Sequence, residues 1–200
     1  MKYLLSALML AAAPAFAATA VVGQPAPAFS ATDTSGKAVS LADFKGKTVV
    51  LEWVNPGCPY VRKHYDSANM QATQKGAAGQ GVVWLAVNST ATGHYDYKKP
   101  ADMAAWMTVQ KAAATHTLMD SEGKIGKAYG ARTTPHLYVV DAKGNLAYAG
   151  GIDDKATANA ADVKTAKNYV NAALGDVLAG KAVAQAVTRP YGCSVKYSDG

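Results

Sequence analysis

Apolar runs and amphipathic segments alternate along this chain. Thr48-Val49-Val50-Leu51-Glu52-Trp53-Val54 is apolar with almost no polar alternation, the pattern of a strand covered on both faces. From Tyr60 to Lys75 polar and apolar residues recur at a helical period, which predicts a helix. Gly81-Val82-Val83-Trp84-Leu85-Ala86-Val87-Asn88 reads as a second buried strand. Two strands separated by a helix imply a right-handed crossover and a parallel pair. Upstream, residues Phe29 to Leu41 read as a hairpin around the turn cluster Asp33-Thr34-Ser35-Gly36-Lys37. The polar and aromatic stretch from Ser89 to Lys99 reads as a surface loop.

Beyond that loop, Pro100 opens a predicted helix from Ala101 to Ala113, followed by a short strand from His116 to Asp120. A short helix from Gly123 to Tyr129 ends at Gly130. Leu137–Val140 and Leu146–Ala149, joined by Asp141-Ala142-Lys143-Gly144-Asn145, form a hairpin. In a last helix, Ala161 to Leu178, the residues Val163, Ala166, Val170, Ala173, Leu174 and Val177 share one face. Gly180 stops it, and the remaining tail reads as irregular.

The first residues carry a different signal. Lys2, the apolar run Leu4 to Ala13 and the motif Ala15-Phe16-Ala17 form a cleavable export signal, cut after Ala17 or within Ala18-Thr19-Ala20. The run is too short to span a membrane, and no Cys follows it to accept a lipid. We therefore expect a signal peptide at 1–17, one domain at 18–180 and a tail at 181–200, exported to a bacterial periplasm without a stable membrane anchor. Removing Lys2 lowers the formal net charge from +6 to +5. The positive residues are scattered, as at Arg62-Lys63, Lys98-Lys99 and Lys124/Lys127, and no basic stripe is interleaved with aromatics, so nucleic-acid binding is not expected.

The candidate chemistry sits where the first buried strand turns into a helix, at Val54-Asn55-Pro56-Gly57-Cys58-Pro59-Tyr60. Pro59 suits the first helical position. Unsatisfied N–H groups at a helix start favour a thiolate, so Cys58 reads as an exposed, electropositive redox nucleophile. The plainer alternatives are a small buried hydrophobe or half of a structural disulfide.

These residues resemble the active-site region of the thioredoxin-like superfamily, in particular its redoxin branch, the alkyl hydroperoxide reductase/thiol-specific antioxidant group. Val22-Gly23-Gln24-Pro25-Ala26-Pro27-Ala28-Phe29 and the stretch Gly36 to Lys47 are similar to the redoxin entry hairpin, and Thr133-Thr134-Pro135-His136-Leu137 resembles the segment that holds the family's cis-proline. The resemblance implies a thioredoxin-like α/β sandwich with a central mixed sheet, an N-terminal hairpin extension and an irregular C-terminal tail. It implies that Pro135 is cis and faces Cys58, with the Thr134 backbone pairing with an incoming extended peptide. Two positions depart from the family. Val61 occupies the second Cys position of the thioredoxin Cys-x-x-Cys motif. Asn55 and Leu51 stand where peroxiredoxins carry a threonine and a proline.

Cys193 is the only other cysteine. Exported chains tend to pair an even number of cysteines, so a Cys58–Cys193 disulfide is expected. It is either an inert staple, contributing ~4–5 kcal/mol in the chain-entropy model, or the product of Cys193 acting as a resolving thiol. Glu52 lies six residues before Cys58, the spacing of the buried acid of thioredoxins, and is a candidate proton relay; the alternative is a solvent-facing carboxylate or an ion pair with Lys47. Arg62, four residues after Cys58, could support a thiolate or simply be solvated. Asn55 could donate toward a bound peroxide or only build a turn. Copper-delivery relatives of the fold use cysteines and a distant histidine, so Cys58, Cys193 and His136 are a candidate Cu(I) set. No cofactor or resident metal is expected. The leading expectation is an exported thiol-dependent oxidoreductase acting by disulfide exchange or peroxide reduction, with a protein thiol or disulfide, or a peroxide, as its partner. A thioredoxin-like binding module with a structural disulfide is the alternative, and a copper chaperone the third.

Overall fold

A computed structural model describes residues 19–198. The expected export signal at 1–17 lies outside the described residues. The central strands are β3 (Val49–Trp53) and β4 (Val83–Asn88), every residue of which is buried. They pair in parallel, with Glu52 opposite Ala86 and Trp53 opposite Val87, as expected for a helical crossover. On its other side β3 runs antiparallel to β7 (His136–Val140), which forms a hairpin with β8 (Leu146–Gly150). β4 runs parallel to β5 (His116–Met119), and the N-terminal hairpin of β1 (Ser30–Asp33) and β2 (Ala38–Ser40) completes the sheet. The order is β2-β1-β5-β4-β3-β7-β8, a mixed sheet with helices on both faces, which is the thioredoxin-like sandwich.

The period-two geometry of strands divides the core. Val50, Val54, Trp84, Ala86, Leu137 and Val139 face α1 (Pro59–Asp66), α2 (Asn69–Ala78), α3 (Pro100–Val109) and α5 (Tyr169–Leu178). Leu51, Trp53, Leu85, Val87, Tyr138 and Val140 face α4 (Lys124–Tyr129) and the N-terminal segment. Cys58 belongs to the first layer.

Three helices differ from the expected boundaries. The helix expected over 60–75 is two, because Ala68 is left-handed (φ 61). Ser67 Oγ donates to the His64 carbonyl at 3.3 Å, while the side chain of Asn69 turns onto the His64 ring, so local polar side chains draw the chain out of the helix. The buried positions Val61, Tyr65, Met70 and Gln74 keep one face across the break, which is why the periodicity runs through it. α3 stops short of Ala113 because Lys111 adopts φ 52. The expected helix 161–178 splits into a 3₁₀ turn (Ala160–Thr165) and α5, whose N-cap Asn168 accepts the Asn171 N–H at 2.9 Å.

The tail has little regular structure, as its sequence suggests, but it is tied down along its length. Thr188 Oγ1 meets Tyr148 OH at 2.6 Å and accepts the Gly151 N–H. One short strand, β9 (Cys193–Ser194), pairs antiparallel with β6 (Thr133–Thr134). Further on, Lys196 O accepts the Ala91 N–H, and Tyr197 OH donates to Ala131 O at 2.7 Å.

Replacing the N-cap by Asn168→Ala is expected to lower stability by about 1 kcal/mol in urea unfolding. Were 161–178 one continuous helix, Asn168 would be an interior position and alanine would stabilise it.

Candidate active site

Cys58 is the N-cap residue of α1, and Pro59 occupies the first helical turn, as the sequence predicts. The turn before it is built by Asn55, whose carbonyl accepts the Cys58 N–H at 3.0 Å and whose side-chain oxygen accepts the Gly57 N–H at 2.7 Å. The Asn55 amide nitrogen donates to Thr90 Oγ1. The side-chain oxygen thus builds the turn, and the amide nitrogen ties it to Thr90. Gly57 packs closely here: a Cβ on it would lie 2.7 Å from Asp96 Oδ1 and displace that side chain.

The Thr134–Pro135 peptide is cis. Cys58 Sγ donates to the Thr134 carbonyl at 3.0 Å, which brings the proline segment over the cysteine. The second cysteine arrives at the same place from the tail: Cys193 is the register partner of Thr134, and its Sγ lies 2.7 Å from Cys58 Sγ. The backbone position expected to receive an incoming peptide is therefore taken by the chain's own tail. Tail and proline segment together leave Cys58 only 2% exposed, which corrects the expectation of an open cysteine. Burial, and then the neighbouring Cys58, push the Cys193 thiol well above its ordinary value.

The backbones fit closely between these residues. Gly192 adopts φ +137, and a Cβ built on it would collide with the Thr134 carbonyl oxygen. Only glycine permits this approach.

Glu52 is fully buried on the layer of the sheet that carries Cys58, so neither solvent nor Lys47 reaches it. Tyr65 OH donates to Oε1 at 2.9 Å, while Trp84 Nε1–H (2.7 Å) and Gln74 Nε2–H (3.1 Å) donate to Oε2. Desolvation raises the carboxyl to about 7, and the three donors offset it only in part.

Arg62 is not part of this site. Its side chain is 62% exposed and pairs with Asp66 one turn on, because the helix directs it to solvent. His136 does not complete a metal set: its Nδ1 meets the Arg132 N–H and Tyr138 OH, and among the described residues no group of three or more His, Cys, Asp or Glu could hold a metal ion.

A second buried polar group was missed from sequence. Lys63, which the sequence suggests is a solvated surface charge, is 2% exposed, and His64 and Asp153 are equally enclosed. Lys63 Nζ donates to the Lys155 carbonyl at 2.7 Å and to Tyr191 OH at 3.3 Å, and lies 3.6 Å from Asp153 Oδ2. His64 Nε2 is 3.0 Å from Tyr191 OH, and Tyr191 donates a short hydrogen bond to Asp153 Oδ1. The available local signal was the pair Lys63-His64 on the same short helix as buried Val61 and Tyr65.

The redoxin motifs now have their geometry, and the model of the AhpC/TSA family matches residues 22–149. The chain belongs to the AhpC/TSA family. Among curated relatives, the thiol-disulfide oxidoreductase ResA of Bacillus thuringiensis subsp. konkukian is 26% identical over 125 residues, which cover 62% of this chain and 66% of that protein. The chain thus spans slightly less than two thirds of that relative's length. A hypothetical protein from Sinorhizobium meliloti 1021 has a similar structure over nearly the whole chain, with TM-score 0.76, 25% identity, and coverage of 91% of this chain and 97% of that one. The thioredoxin domain of a thiol-disulfide oxidoreductase from Bacteroides vulgatus superposes with TM-score 0.50 at 27% identity, covering 64% of this chain and 86% of that domain. The family match ends at residue 149, before Cys193.

The Glu52 proton is held more tightly in the folded than in the unfolded chain, where 4.5 is the ordinary value. Its contribution to stability is therefore intact below pH 4.5, where both states are protonated, and is lost as the pH rises through about 7. Between those limits the protein is expected to lose about 3 kcal/mol relative to Glu52→Gln, measured as the difference between their urea unfolding curves across pH.

Proposed function

We propose that this protein is an exported thiol-disulfide oxidoreductase in which Cys58 is the nucleophile and Cys193 the resolving thiol. The observation that carries the reading is the 2.7 Å approach of the two sulfurs beside the cis Thr134–Pro135 bond. The curated relatives named thiol-disulfide oxidoreductases support the reaction class. The Lys2, Leu4–Ala13 and Ala15-Phe16-Ala17 pattern supports export to the periplasm.

The tail supplies what Val61 cannot, because a thiol at the next helical turn is replaced by one delivered across the sheet edge. Cys58 attacks a client disulfide, one sulfur–sulfur bond breaks, and the departing client sulfur takes up a proton. Cys193 then attacks the Cys58 sulfur of the mixed disulfide and passes its proton to the second client sulfur. The client gains two electrons and two protons, and the protein is left with a Cys58–Cys193 disulfide that an external dithiol reduces. The reverse sequence oxidises a client dithiol. The elevated Cys193 thiol remains protonated until it attacks, which suits the resolving role. Glu52, with its carboxyl at about 7, serves these transfers as a proton relay within the same layer. Thr134, Pro135 and Pro59 shape the site, and Asn55 holds its turn. Because Asn55 stands where a peroxidatic site would carry a threonine hydroxyl, and the curated relatives are thiol-disulfide oxidoreductases, disulfide exchange is favoured over peroxide activation.

Incubation with glutathione disulfide is expected to leave a glutathione adduct on Cys58 of Cys193→Ser, seen as one added glutathione by intact mass and mapped by peptide analysis. Cys58→Ser is expected to acquire none at Cys193 and to lose insulin-reducing activity. Equal labelling of both variants would reverse or remove the assigned roles.

A further inference from the structure

The AhpC/TSA match ends before the tail, and the mechanism above uses one tail residue, Cys193. The buried group of Lys63, His64, Asp153 and Tyr191 has no role in it. Burying an ion pair costs free energy that packing alone would not demand, so the group calls for an account. It joins two things. Lys63 and His64 lie on α1, the helix that Cys58 caps. Tyr191 lies two residues before Cys193.

The hydrogen bonds have a definite sense. Asn69 Nδ2 lies 2.9 Å from His64 Nδ1 and donates to it, which places the ring proton on Nε2. Nε2–H and Lys63 Nζ–H then both donate to the Tyr191 hydroxyl oxygen, and the hydroxyl proton goes to Asp153. The hydroxyl makes the three hydrogen bonds it can hold. The ring is fixed as well, edge-on to Tyr60 at 5.9 Å and under Lys63 Nζ at 5.3 Å. From this anchor the chain has one residue, Gly192, before Cys193. Gly192 is wedged against the Thr134 carbonyl, so the position of Cys193 follows from that of Tyr191.

We infer that Tyr191 is a positioning residue: the clasp of Lys63, His64 and Asp153 on its hydroxyl sets the approach of Cys193 to Cys58, and with it the stability of the disulfide between them. Both sulfurs are referred to one rigid helix, Cys58 as its cap and Cys193 through the clasp. The inference rests on the proposed exchange between the two cysteines. In glutathione buffers the balance is protein dithiol plus glutathione disulfide against protein disulfide plus two glutathione thiols, and a well-positioned pair favours the protein disulfide.

The test is the glutathione equilibrium constant, read by acid quench, alkylation and intact mass, for the purified protein, Tyr191→Phe and Val177→Ala. Tyr191→Phe keeps the ring and removes the hydroxyl, and is expected to weaken disulfide formation by about tenfold, the equivalent of one such hydrogen bond. Val177, on α5 beside the start of the tail at Lys181–Val183, takes no part in the clasp on Tyr191, so Val177→Ala loosens the packing there and is expected to leave the constant unchanged. An unchanged constant in Tyr191→Phe, with a normal disulfide in the parent protein, overturns the clasp and leaves the proposed function standing. An equal fall in Val177→Ala also overturns it, since the effect is then general loosening. A parent protein that forms no exchangeable disulfide removes both readings. Should Tyr191→Phe fail to fold, His64→Ala and His64→Gln decide: the glutamine, which still donates to the Tyr191 oxygen, is expected to restore most of what alanine loses, and equal constants for the two contradict the proposal.

Discussion

The pairing of Cys193 with Thr134 is the contact on which the site depends. It brings a tail strand against the segment holding the cis peptide, and it puts two sulfurs that are 135 positions apart within 2.7 Å of each other. The burial of Cys58, the enclosure of the Thr134 backbone and the substitution of a distant thiol for a local one all follow from it. The constraint is narrow, because Gly192 leaves no room for a side chain at the point of closest approach.

Around this contact the protein buries two sets of ionisable groups on opposite terms. Burial raises the Glu52 carboxyl to about 7 against the opposing pull of the three neutral donors around it. Lys63 and Asp153 are wrapped by each other and by Tyr191, an arrangement that fixes geometry. His64 sits between them as a neutral donor, since burial, opposed by Asp153 and reinforced by Lys63, holds its ring at about 4. The break between α1 and α2 lets Asn69 reach the His64 ring; five residues on in a continuous helix it would lie about 140° round the axis from it.

What could be read from the sequence was whatever is encoded locally. The run from Thr48 to Val54 and the turn at Gly57-Cys58-Pro59 show the buried strand and the capped helix within a dozen residues. The Thr134-Pro135 segment and the placement of Glu52 were legible through family resemblance, and the alternation of Leu137–Val140 with Leu146–Ala149 showed the hairpin. What remained hidden depends on distant partners. Lys63 looks like a surface charge until Asp153 and Tyr191 are folded onto it, 90 and 128 positions later. Helix ends were misplaced at Ala68, Lys111 and Asn168, where capping and a single left-handed residue override a periodicity that continues past them. Arg62 shares with Cys58 a spacing of one turn, yet the helix as packed sends it to solvent.

The central claim is that Cys58 and Cys193 form an exchangeable redox pair, and not a staple. The direct measurement is a redox titration of the purified folded protein in buffers of defined potential, with thiols trapped by alkylation and counted by intact mass. The account predicts a two-electron transition between dithiol and disulfide at a potential above about −300 mV, with the protein folded throughout. A disulfide that yields only once the protein is unfolded, or two thiols that never pair, would contradict it.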